Sequence, residues 1–559
     1  MATTDPLHLL PAELVLRILE FTPLSGISSL TRLTRSWNTF IDTTHQDAIY
    51  SAKTSRNPNQ RDFRDFSSFE TDSSSFTRYY AGVTSWKDLC KRQTLLSKNW
   101  SRRSPITREL IIGSSSSTRD PVWRFKPDFK RRLILSTHHT GDMKVTDMDT
   151  DQVIWSLSPQ TVRPYAHLEY QDGTAVWDRE GNALEVWRTD QPGCQRGEFR
   201  RIAVLDHDSQ TRGFQLSYDN LCVVSTDGKG YVYEGMTQSG TPRLKTEIDI
   251  EEGAVGHVYQ DADVVVYSMG VDGYYVYDKL GKRLGIMEPK WCTSSNFHIE
   301  DVSQSPGRRP HTVENLIGGA NQCTSQKPST VRTKPIQVKS GTYPDPGENS
   351  IWLDDDEWGA VSLCGSLMVG ISRGGRVFVC SDWRSSLESV EKMQLHSSIV
   401  ECDSDGSTFD FGGWLSVKDH RVLFEIEGGQ VYVLGLTDDN KVAVNNTARP
   451  SFSFPTGFTS QLAVPVSFMA IYDDCIMTTY TTASHGALRL PTKAVRALSL
   501  APDVSGNDEE ASKEVSAQQV WVADGLDLWA TFLSGDADLA MVDGLVAGED
   551  DWEDMEDLN

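Results

Sequence analysis

The chain has 559 residues, of which 38% are hydrophobic, and it has a mean hydropathy of -0.40 and a formal net charge of -24. This length predicts two or three domains, and apolar runs such as residues 262–267 fall far short of a membrane-spanning helix of about 20 residues. Residues 1–132 carry 21 Lys and Arg against 13 Asp and Glu, a net charge of +8, whereas the remainder has a net charge of -32. Because so acidic a body repels nucleic acid, we expect no nucleic-acid partner, and because the apolar runs are short, we expect no membrane partner.

The nine cysteines are scattered, are odd in number and include no C-x-x-C pair. This spacing argues against a structural zinc site and against a disulfide framework. The first thirty residues also lack a basic segment followed by an apolar one, so no secretory signal is expected. We therefore expect a cytoplasmic or nuclear protein that holds no metal and no cofactor.

The first fifty residues predict helices. In "LLPAELVLRILEF", Pro11 suits a first helical turn, Glu13 suits the positive end of the helix dipole, and apolar residues recur at i, i+4 in the pairs Leu14–Ile18 and Val15–Leu19. Thr22-Pro23 ends this helix. A second helix is predicted across residues 28–41, with the following residues on one face: Leu30, Leu33, Trp37, Phe40 and Ile41.

Residues 51–115 connect these helices to the rest of the chain. Residues 51–84 are polar and rich in serine, which predicts a flexible linker. Residues 85–115 predict a connecting helical segment, with a short helix in "SWKDLCKRQTLLSKNW".

From about residue 120 to residue 535 the pattern changes to short β-type runs separated by glycine turns. Seven hairpins are predicted, with turns at Gly141-Asp142, Glu180-Gly181, Asp227-Gly228, Asp272-Gly273, Gly374-Gly375, Gly428-Gly429 and near Gly486. Asp-Gly and Gly-Gly supply the positive φ that tight hairpins need. A period of about 40–50 residues with four strands per unit is typical of a β-propeller, here of about seven blades.

Two segments interrupt or follow this repeat. One doubled gap contains a stretch rich in Pro, Ser and Gly, residues 300–350, which predicts a disordered insertion. Residues 536–559 predict a solvated acidic tail, because seven carboxylates lie between Glu549 and Asp557.

The stretch "KVTDMDTDQVIW" sets aspartates at alternate positions, as a calcium loop does. An EF-hand loop that begins at Asp147 needs Gly at its sixth position and Glu at its twelfth, where this chain has Gln152 and Ser158. The stretch therefore predicts a strand and a turn, and not a metal site.

The N-terminal pattern L-P-x-E-L-x-x-x-I-L, followed by L-x-x-L-x-x-x-W-x-x-F-I, resembles an F-box, a motif of about 45 residues that docks on the Skp-type adaptor of a cullin–RING ubiquitin ligase. The resemblance implies that the adaptor is bound by Leu10, Pro11, Glu13, Leu14, Ile18, Leu19, Leu30, Leu33 and Trp37. A unit this short buries little apolar surface alone, which agrees with its needing a partner.

Two further stretches resemble F-box/WD proteins. The residues Trp86, Cys90, Arg92, Asn99 and Trp100 resemble the connector between the F-box and the propeller. "VTDMDTDQVIW" resembles the V-x-D-x-x-T-G-x-x-x-W run that ends a WD blade, with a blade-to-blade turn at Thr150-Asp151 and Asp in place of Gly. Trp-Asp dipeptides are rare and Gly-His signatures are missing, so these repeats are degenerate.

The expected architecture is multidomain: a small all-α F-box in residues 1–50 and an all-β propeller. The resemblance implies a non-catalytic substrate receptor, in which the F-box binds the adaptor and the propeller binds an unknown target protein. Because such receptors often read phosphorylated segments with arginines, the candidates for target binding are Arg373, Arg376, Arg384 and Arg421. Two alternatives stay open: an F-box protein with a regulator-of-chromosome-condensation-like propeller, and a propeller enzyme such as a hydrolase.

Overall fold

The computed structural model describes residues 5–54, 66, 74–102, 105–112, 120–179, 182–238, 241–250, 257–292, 295–301, 328–336, 356–402, 413–425, 430–444, 449–457, 466–483 and 491–502. Everything stated below refers to these residues. The predicted acidic tail, residues 536–559, lies outside them.

Short helices form the N-terminal region, with these bounds: α1 Pro6–Leu9, α2 Ala12–Phe21, α3 Leu24–Leu33, α4 Arg35–Thr39, a π-helical turn Phe40–Thr44 and α5 Gln46–Lys53. α2 begins after Pro11 and ends before Thr22-Pro23, as predicted. The single helix predicted across residues 28–41 is wrong. Thr34 is extended, with φ -146°, and its Oγ1 accepts a 3.2 Å hydrogen bond from the Trp37 amide, so it ends α3 and caps α4.

The helix α6, Trp86–Trp100, connects this region to the strands, and Ser85 caps it as the predicted short helix requires. One side of α6 places Cys90 in the core of the N-terminal helices, beside Ile41 and Tyr50. Its other side places Leu89 and Trp100 in a core built by the strands. A single helix therefore belongs to both cores.

The predicted flexible linker was wrong for residues 74–84, which lie folded against the strands with Phe76 and Tyr80 buried. The Asp474 carboxylate accepts hydrogen bonds from the backbone amides of Phe76 and Thr77, at 2.7 and 3.0 Å. Buried carboxylate acceptors of this kind fix a backbone segment firmly. Residues 55–65 and 67–73 of the linker lie outside the described residues.

The strands begin earlier than predicted, because β1, Arg108–Ile112, lies inside the segment 85–115 that was expected to be helical. The predicted start of the propeller at residue 120 is therefore corrected to β1. Leu110 and Ile112 pack into a core with strands from the far end of the chain, which explains why local sequence did not reveal this strand.

The strands form antiparallel sheets of four, which we call blades. Blades 1 and 2 contain β2 Val122–Asp128, β3 Leu133–His138, β4 Met143–Asp147, β5 Val153–Leu157, β6 Leu168–Gln171, β7 Thr174–Asp178, β8 Ala183–Arg188 and β9 Arg200–Asp206. Blades 3 and 4 contain β10 Thr211–Ser217, β11 Asn220–Ser225, β12 Lys229–Glu234, β13 Arg243–Asp249, β14 Val258–Gln260, β15 Val264–Ser268, β16 Tyr274–Asp278 and β17 Arg283–Met287. A 3-10 turn, Pro289–Trp291, follows blade 4.

Between blade 4 and blade 5 in the sequence lies a hairpin of β18 Asn296–Asp301 and β19 Ser329–Ile336. Blades 5 and 6 contain β20 Trp358–Cys364, β21 Leu367–Ser372, β22 Arg376–Cys380, β23 Ser397–Glu401, β24 Leu415–Lys418, β25 Arg421–Glu425, β26 Gln430–Gly435 and β27 Ser451–Pro455. Two short helices, α7 Trp383–Ser386 and α8 Val390–His396, lie between β22 and β23. Blade 7 contains β28 Met469–Ile471, β29 Cys475–Ala483, β30 Pro491–Ser499 and the early strand β1.

The blades form a closed ring, a β-propeller with seven blades in the part of the chain that the structure describes. Each first strand contacts the first strand of the next blade from β2 through β28, and β2 contacts β29 and β30. β1 pairs antiparallel with β30, from Arg108 opposite Ser499 to Ile112 opposite Val495. Closure by a distant strand leaves no open gap between the first and last blades.

The seven predicted hairpins are confirmed, and each joins the second and third strands of one blade. Positive φ angles occur at Gly141, Gly228, Gly273 and Gly375. The turn residues of the other three hairpins lie outside the described residues, although their strands pair as expected.

The stretch 300–350 was predicted to be disordered, and this was wrong for β19. β18 pairs in parallel with β23 of blade 5, and β19 pairs antiparallel with β27 of blade 6, so the hairpin joins two blades into one sheet of ten strands. Ile299 and Val331 are buried in that sheet. Residues 302–327 and 337–355 lie outside the described residues.

The turn of "KVTDMDTDQVIW" joins β4 and β5 within blade 1, which corrects the predicted blade-to-blade turn. Asp147 Oδ1 accepts hydrogen bonds from the amides of Asp149 and Thr150, at 3.0 and 2.8 Å. Asp151 has φ +55°, so Asp does take the left-handed position in place of Gly. These aspartates stabilise a turn.

Candidate functional site

The helix α2 has two apolar faces. At about 100° per residue, Val15 and Leu19 share one face, whereas Leu14, Ile18 and Phe21 share another. The first pair is 2% and 1% exposed, but Leu14 is 52%, Ile18 54% and Phe21 73% exposed. A surface helix of an isolated domain normally has one apolar face, so the second face is available to a partner.

We call Leu14, Ile18 and Phe21 the outer face of α2. The Arg17 guanidinium lies 4.8 Å from the centre of the Phe21 ring and forms an ion pair with Glu20. Charged groups therefore border the apolar side chains, as they do at the rim of many protein interfaces.

The other predicted adaptor-binding residues divide into three groups. Leu19 and Trp37 lie in the core of the helical region, so their predicted contact role is corrected to holding the helices together. Leu10 and Leu30 are half-buried against that core. The exposed ones besides Leu14 and Ile18 are Pro11, Glu13 and Leu33.

Sequence reasoning missed Leu9 and Phe21, which are 64% and 73% exposed. Phe21 could have been found from spacing, because it follows Leu14 by seven residues, two turns of the same helix. Leu9 ends the short helix α1, which no sequence pattern predicted.

The four arginines predicted to bind the target do not lie together. In an antiparallel blade, the turns between second and third strands lie at one face of the ring, and the other two turns lie at the opposite face. We call these the hairpin face and the connector face. Arg373 and Arg376 flank the β21–β22 turn at the hairpin face, whereas Arg384 on α7 and Arg421 at the start of β25 lie at the connector face.

Each of these arginines has a partner within the chain. Arg376 is buried and its Nη1 lies 2.7 Å from Asp356, while Arg373 lies 2.8 Å from Glu357. The Arg384 guanidinium lies 3.2 Å from Asp261. Arg421 is buried 4.3 Å from the Trp100 ring centre, and burial lowers the pKa of its guanidinium to about 10. Their role in target binding stays a prediction.

A different arginine lies at the centre of the ring. The Arg124 guanidinium, on β2 of blade 1, is 3.6 Å from the centre of the Trp414 ring, which directly precedes β24 of blade 6. Its charge also acts on Glu169 of blade 2 and on His257, just before β14 of blade 4. Blades 1, 4 and 6 are not neighbours, so their side chains meet only around the axis of the ring.

Two histidines line the same region. His167 stacks on Phe214 of blade 3 with ring centres 4.3 Å apart, and its Nε2 lies 3.1 Å from Glu169. Burial, followed by the charge of Arg124, lowers the pKa of both His167 and His257 to about 4. Both rings are therefore neutral at pH 7.

A possible cation cluster lies at the hairpin face of blade 1, where ligand atoms of Asp120, His138 and Asp142 come within 4.8 Å of one another. The carboxylates already have partners. Lys144 Nζ lies 3.2 Å from Asp142, and the Thr140 amide and hydroxyl donate to Asp120. These contacts do not suit a metal ion, whose ligands must turn their lone pairs towards it.

No family model matches this chain, and no curated protein matches it. Among solved structures, the computationally designed Ika8 protein aligns over 68% of this chain and 97% of its own, with 13% identity and a TM-score of 0.39. Sqt1 of Saccharomyces cerevisiae aligns over 68% of this chain and 86% of its own, with 9% identity and a TM-score of 0.39. The Cps50 (Swd1) β-propeller domain of Myceliophteria thermophila aligns over 70% and 98%, with 7% identity and a TM-score of 0.38.

At these identities and scores the likeness carries no argument about function, and the strand pairing itself establishes the propeller. Within the described ranges, no helix has the length and apolar character to cross a membrane. None of the eight cysteines that the structure describes forms a disulfide.

Proposed function

We propose that this chain is the substrate-recognition subunit of an SCF-type cullin–RING E3 ubiquitin ligase. In this proposal the N-terminal helices are an F-box that binds a Skp-type adaptor, and the propeller binds the target protein. The observation that carries the proposal is the outer face of α2, where Leu14 and Ile18 are exposed at positions that match the F-box pattern.

The energetics of this face favour a partner. Burying an exposed leucine, isoleucine or phenylalanine contributes on the order of 1.5–3 kcal/mol for each side chain. Residues 5–54 bury their first apolar face among themselves and against α6, and among the described residues this leaves Leu14 52% and Ile18 54% exposed. An adaptor that covers these side chains therefore gains binding free energy without first unfolding the helices.

The connector supports the same proposal. A receptor subunit performs no chemistry and acts by holding its target near the ligase, which raises the local concentration of target lysines. That effect is largest when the adaptor site and the target site keep a defined geometry. Because α6 belongs to the core of the helices and to a core of the propeller, the chain has such a connection.

Co-purification with a Skp-type adaptor tests the proposal. Leu14→Asp places a charge on the outer face and should abolish adaptor capture, while the thermal unfolding of the propeller stays unchanged. The matched control is Leu280→Asp, which changes an equally apolar side chain, 75% exposed, on blade 4 and should retain the adaptor. Undiminished adaptor capture by Leu14→Asp would overturn the F-box proposal.

A further inference from the structure

The channel at the centre of the ring has one mouth at the hairpin face, and Arg124 lies near it. Arg124 is close to the start of β2, and every first strand starts at the hairpin face because its following turn lies at the connector face. His167, His257 and Trp414 directly precede β6, β14 and β24. These four residues therefore lie at the same end of the channel.

Arg124 is a buried cation that forms no ion pair among the described residues. It is 7% exposed and its Nε has no hydrogen-bond partner there, while Glu169, whose charge acts on it, is paired with Lys126. Isolated buried charges are strongly disfavoured, and ionisable groups that burial perturbs strongly cluster at functional sites. The guanidinium makes cation–π contacts with the aromatic faces of Trp123 and Trp414. These contacts do not involve the N–H donors, which lie in the plane of the guanidinium.

The nearest other charges cancel. Lys126 Nζ lies 3.0 Å from Glu169, and Glu169 also contacts His167. Since both histidines are neutral at pH 7, this group of residues has a net charge of one from Arg124. One guanidinium between aromatic walls suits a monoanion with two oxygen atoms, because the planar fork of Arg matches a carboxylate. A phosphate dianion is matched by two or more cations.

We propose that the hairpin-face mouth of the channel binds a carboxylate-bearing peptide segment, with Arg124 as the cation and Trp414 as an apolar wall. The inference deepens the proposed function, on which it rests, by naming the chemistry of the target segment. The site lies at the face opposite to the turns that hold the linker and α6, since Asp474 is in the β28–β29 turn and Arg421 follows the β24–β25 turn. A bound segment therefore does not compete with the helical region.

The test uses immobilised full-length protein and three pools of labelled 12-residue peptides with the same randomised flanks. The central residue is Glu in one pool, Gln in the second and phosphoserine in the third. We expect the wild type to retain the Glu pool about 10-fold more than the Gln pool, the order of magnitude of a charge-assisted hydrogen bond. Arg124→Met should abolish this preference.

The matched control is Arg243→Met, which changes an exposed arginine on the outer strand of blade 3 and should keep the preference. The proposal is overturned if the wild type retains Glu and Gln peptides equally, if it retains phosphoserine peptides best, or if Arg124→Met keeps the preference for Glu.

Thermal unfolding separates this role from a structural one. Removing an unpaired buried cation should leave the unfolding midpoint unchanged or raise it. A clearly lower midpoint for Arg124→Met would mean that the guanidinium stabilises the propeller, and it would overturn the inference. Adaptor capture is measured with the same samples. A wild-type protein that binds the adaptor but shows no preference for Glu peptides contradicts this inference alone, whereas one that prefers Glu peptides but does not bind the adaptor contradicts the proposed function alone.

Discussion

The helical region and the propeller differ in how far they bury their apolar side chains. The propeller closes on itself through β1, and large side chains such as Trp177, Trp358 and Phe378 are completely buried. The helical region buries one face of α2 and exposes the other. The difference teaches that a ring of sheets completes its own core, whereas a unit of about fifty residues has too little interior for all its apolar side chains.

In the part of the chain that the structure describes, buried charges show a similar contrast between a group that finds its partners within the chain and one that does not. Arg376 and Arg124 are both buried in the propeller, yet Arg376 lies between Asp356 and Glu401, and Arg124 has no such partner among the described residues. We interpret the paired Arg376 as part of the scaffold and Arg124 as the proposed site where a ligand supplies the missing anion. Three sets of substitutions test these contrasts.

The largest effect is expected for Arg376→Met. This change leaves Asp356, which is fully buried, without its cation, and should lower the free energy of unfolding by about 3–5 kcal/mol. Urea unfolding measures it. The double variant Arg376→Met, Asp356→Leu should recover most of the loss, because it removes both charges. If Arg376→Met lowered the free energy of unfolding no more than Arg124→Met is expected to, the distinction between paired and unpaired arginines would be wrong.

A smaller effect separates the two faces of α2. Leu19→Ala removes a fully buried side chain and should destabilise the helical region by about 2–5 kcal/mol, whereas Ile18→Ala should change stability by no more than about 0.5 kcal/mol. Hydrogen exchange of the α2 amides measures both. We expect Ile18→Ala to weaken adaptor binding in spite of its normal stability, and equal destabilisation by the two variants would contradict the exposed outer face.

The smallest effect concerns the turn of blade 1. Burial raises the pKa of Asp147, but its contacts with Arg196 and with the Thr150 amide and hydroxyl outweigh this and lower the pKa to about 2. A carboxyl group with a lowered pKa in the folded state stabilises the protein above its unfolded pKa of about 4, and this contribution is lost as the pH falls towards 2.

Asp147→Asn should therefore lower the free energy of unfolding by at most about 2 kcal/mol at pH 7. The difference from the wild type should shrink between pH 4 and pH 2, as measured by urea unfolding across that range. A difference that grows with acidity would show that the ionised carboxylate does not stabilise the turn.

Much of the fold could be predicted from local pattern. Tight hairpin turns require a residue with positive φ, and glycine supplies it at Gly228 and Gly273. Asp-Gly pairs such as Asp227-Gly228 therefore identify hairpins without any knowledge of the rest of the chain. β1 could not be predicted in this way. Its partner β30 lies almost four hundred residues away, and nothing local in residues 108–112 indicates a ring that has to be closed.

For the candidate sites too, local pattern predicted some residues and only contacts between distant segments revealed others. Leu14 and Ile18 were chosen because they match the F-box pattern. Helical spacing places them on one face, but it does not say which of two apolar faces is covered. The arginines chosen from sequence lie at opposite faces of the ring with partners of their own. Arg124 was not chosen, because its surroundings come from blades 2, 4 and 6, far apart in the chain.

The sequence by itself determined α2, the short helix α6, the seven hairpins and the two apolar faces of α2, because turn residues and the periods of helix and strand act over a few residues. Only the tertiary structure decided which face of α2 is buried, where the ring closes and that Arg124 forms no ion pair among the described residues. Those features depend on contacts between distant segments, since burial and pairing are properties of the assembled core and not of neighbouring residues.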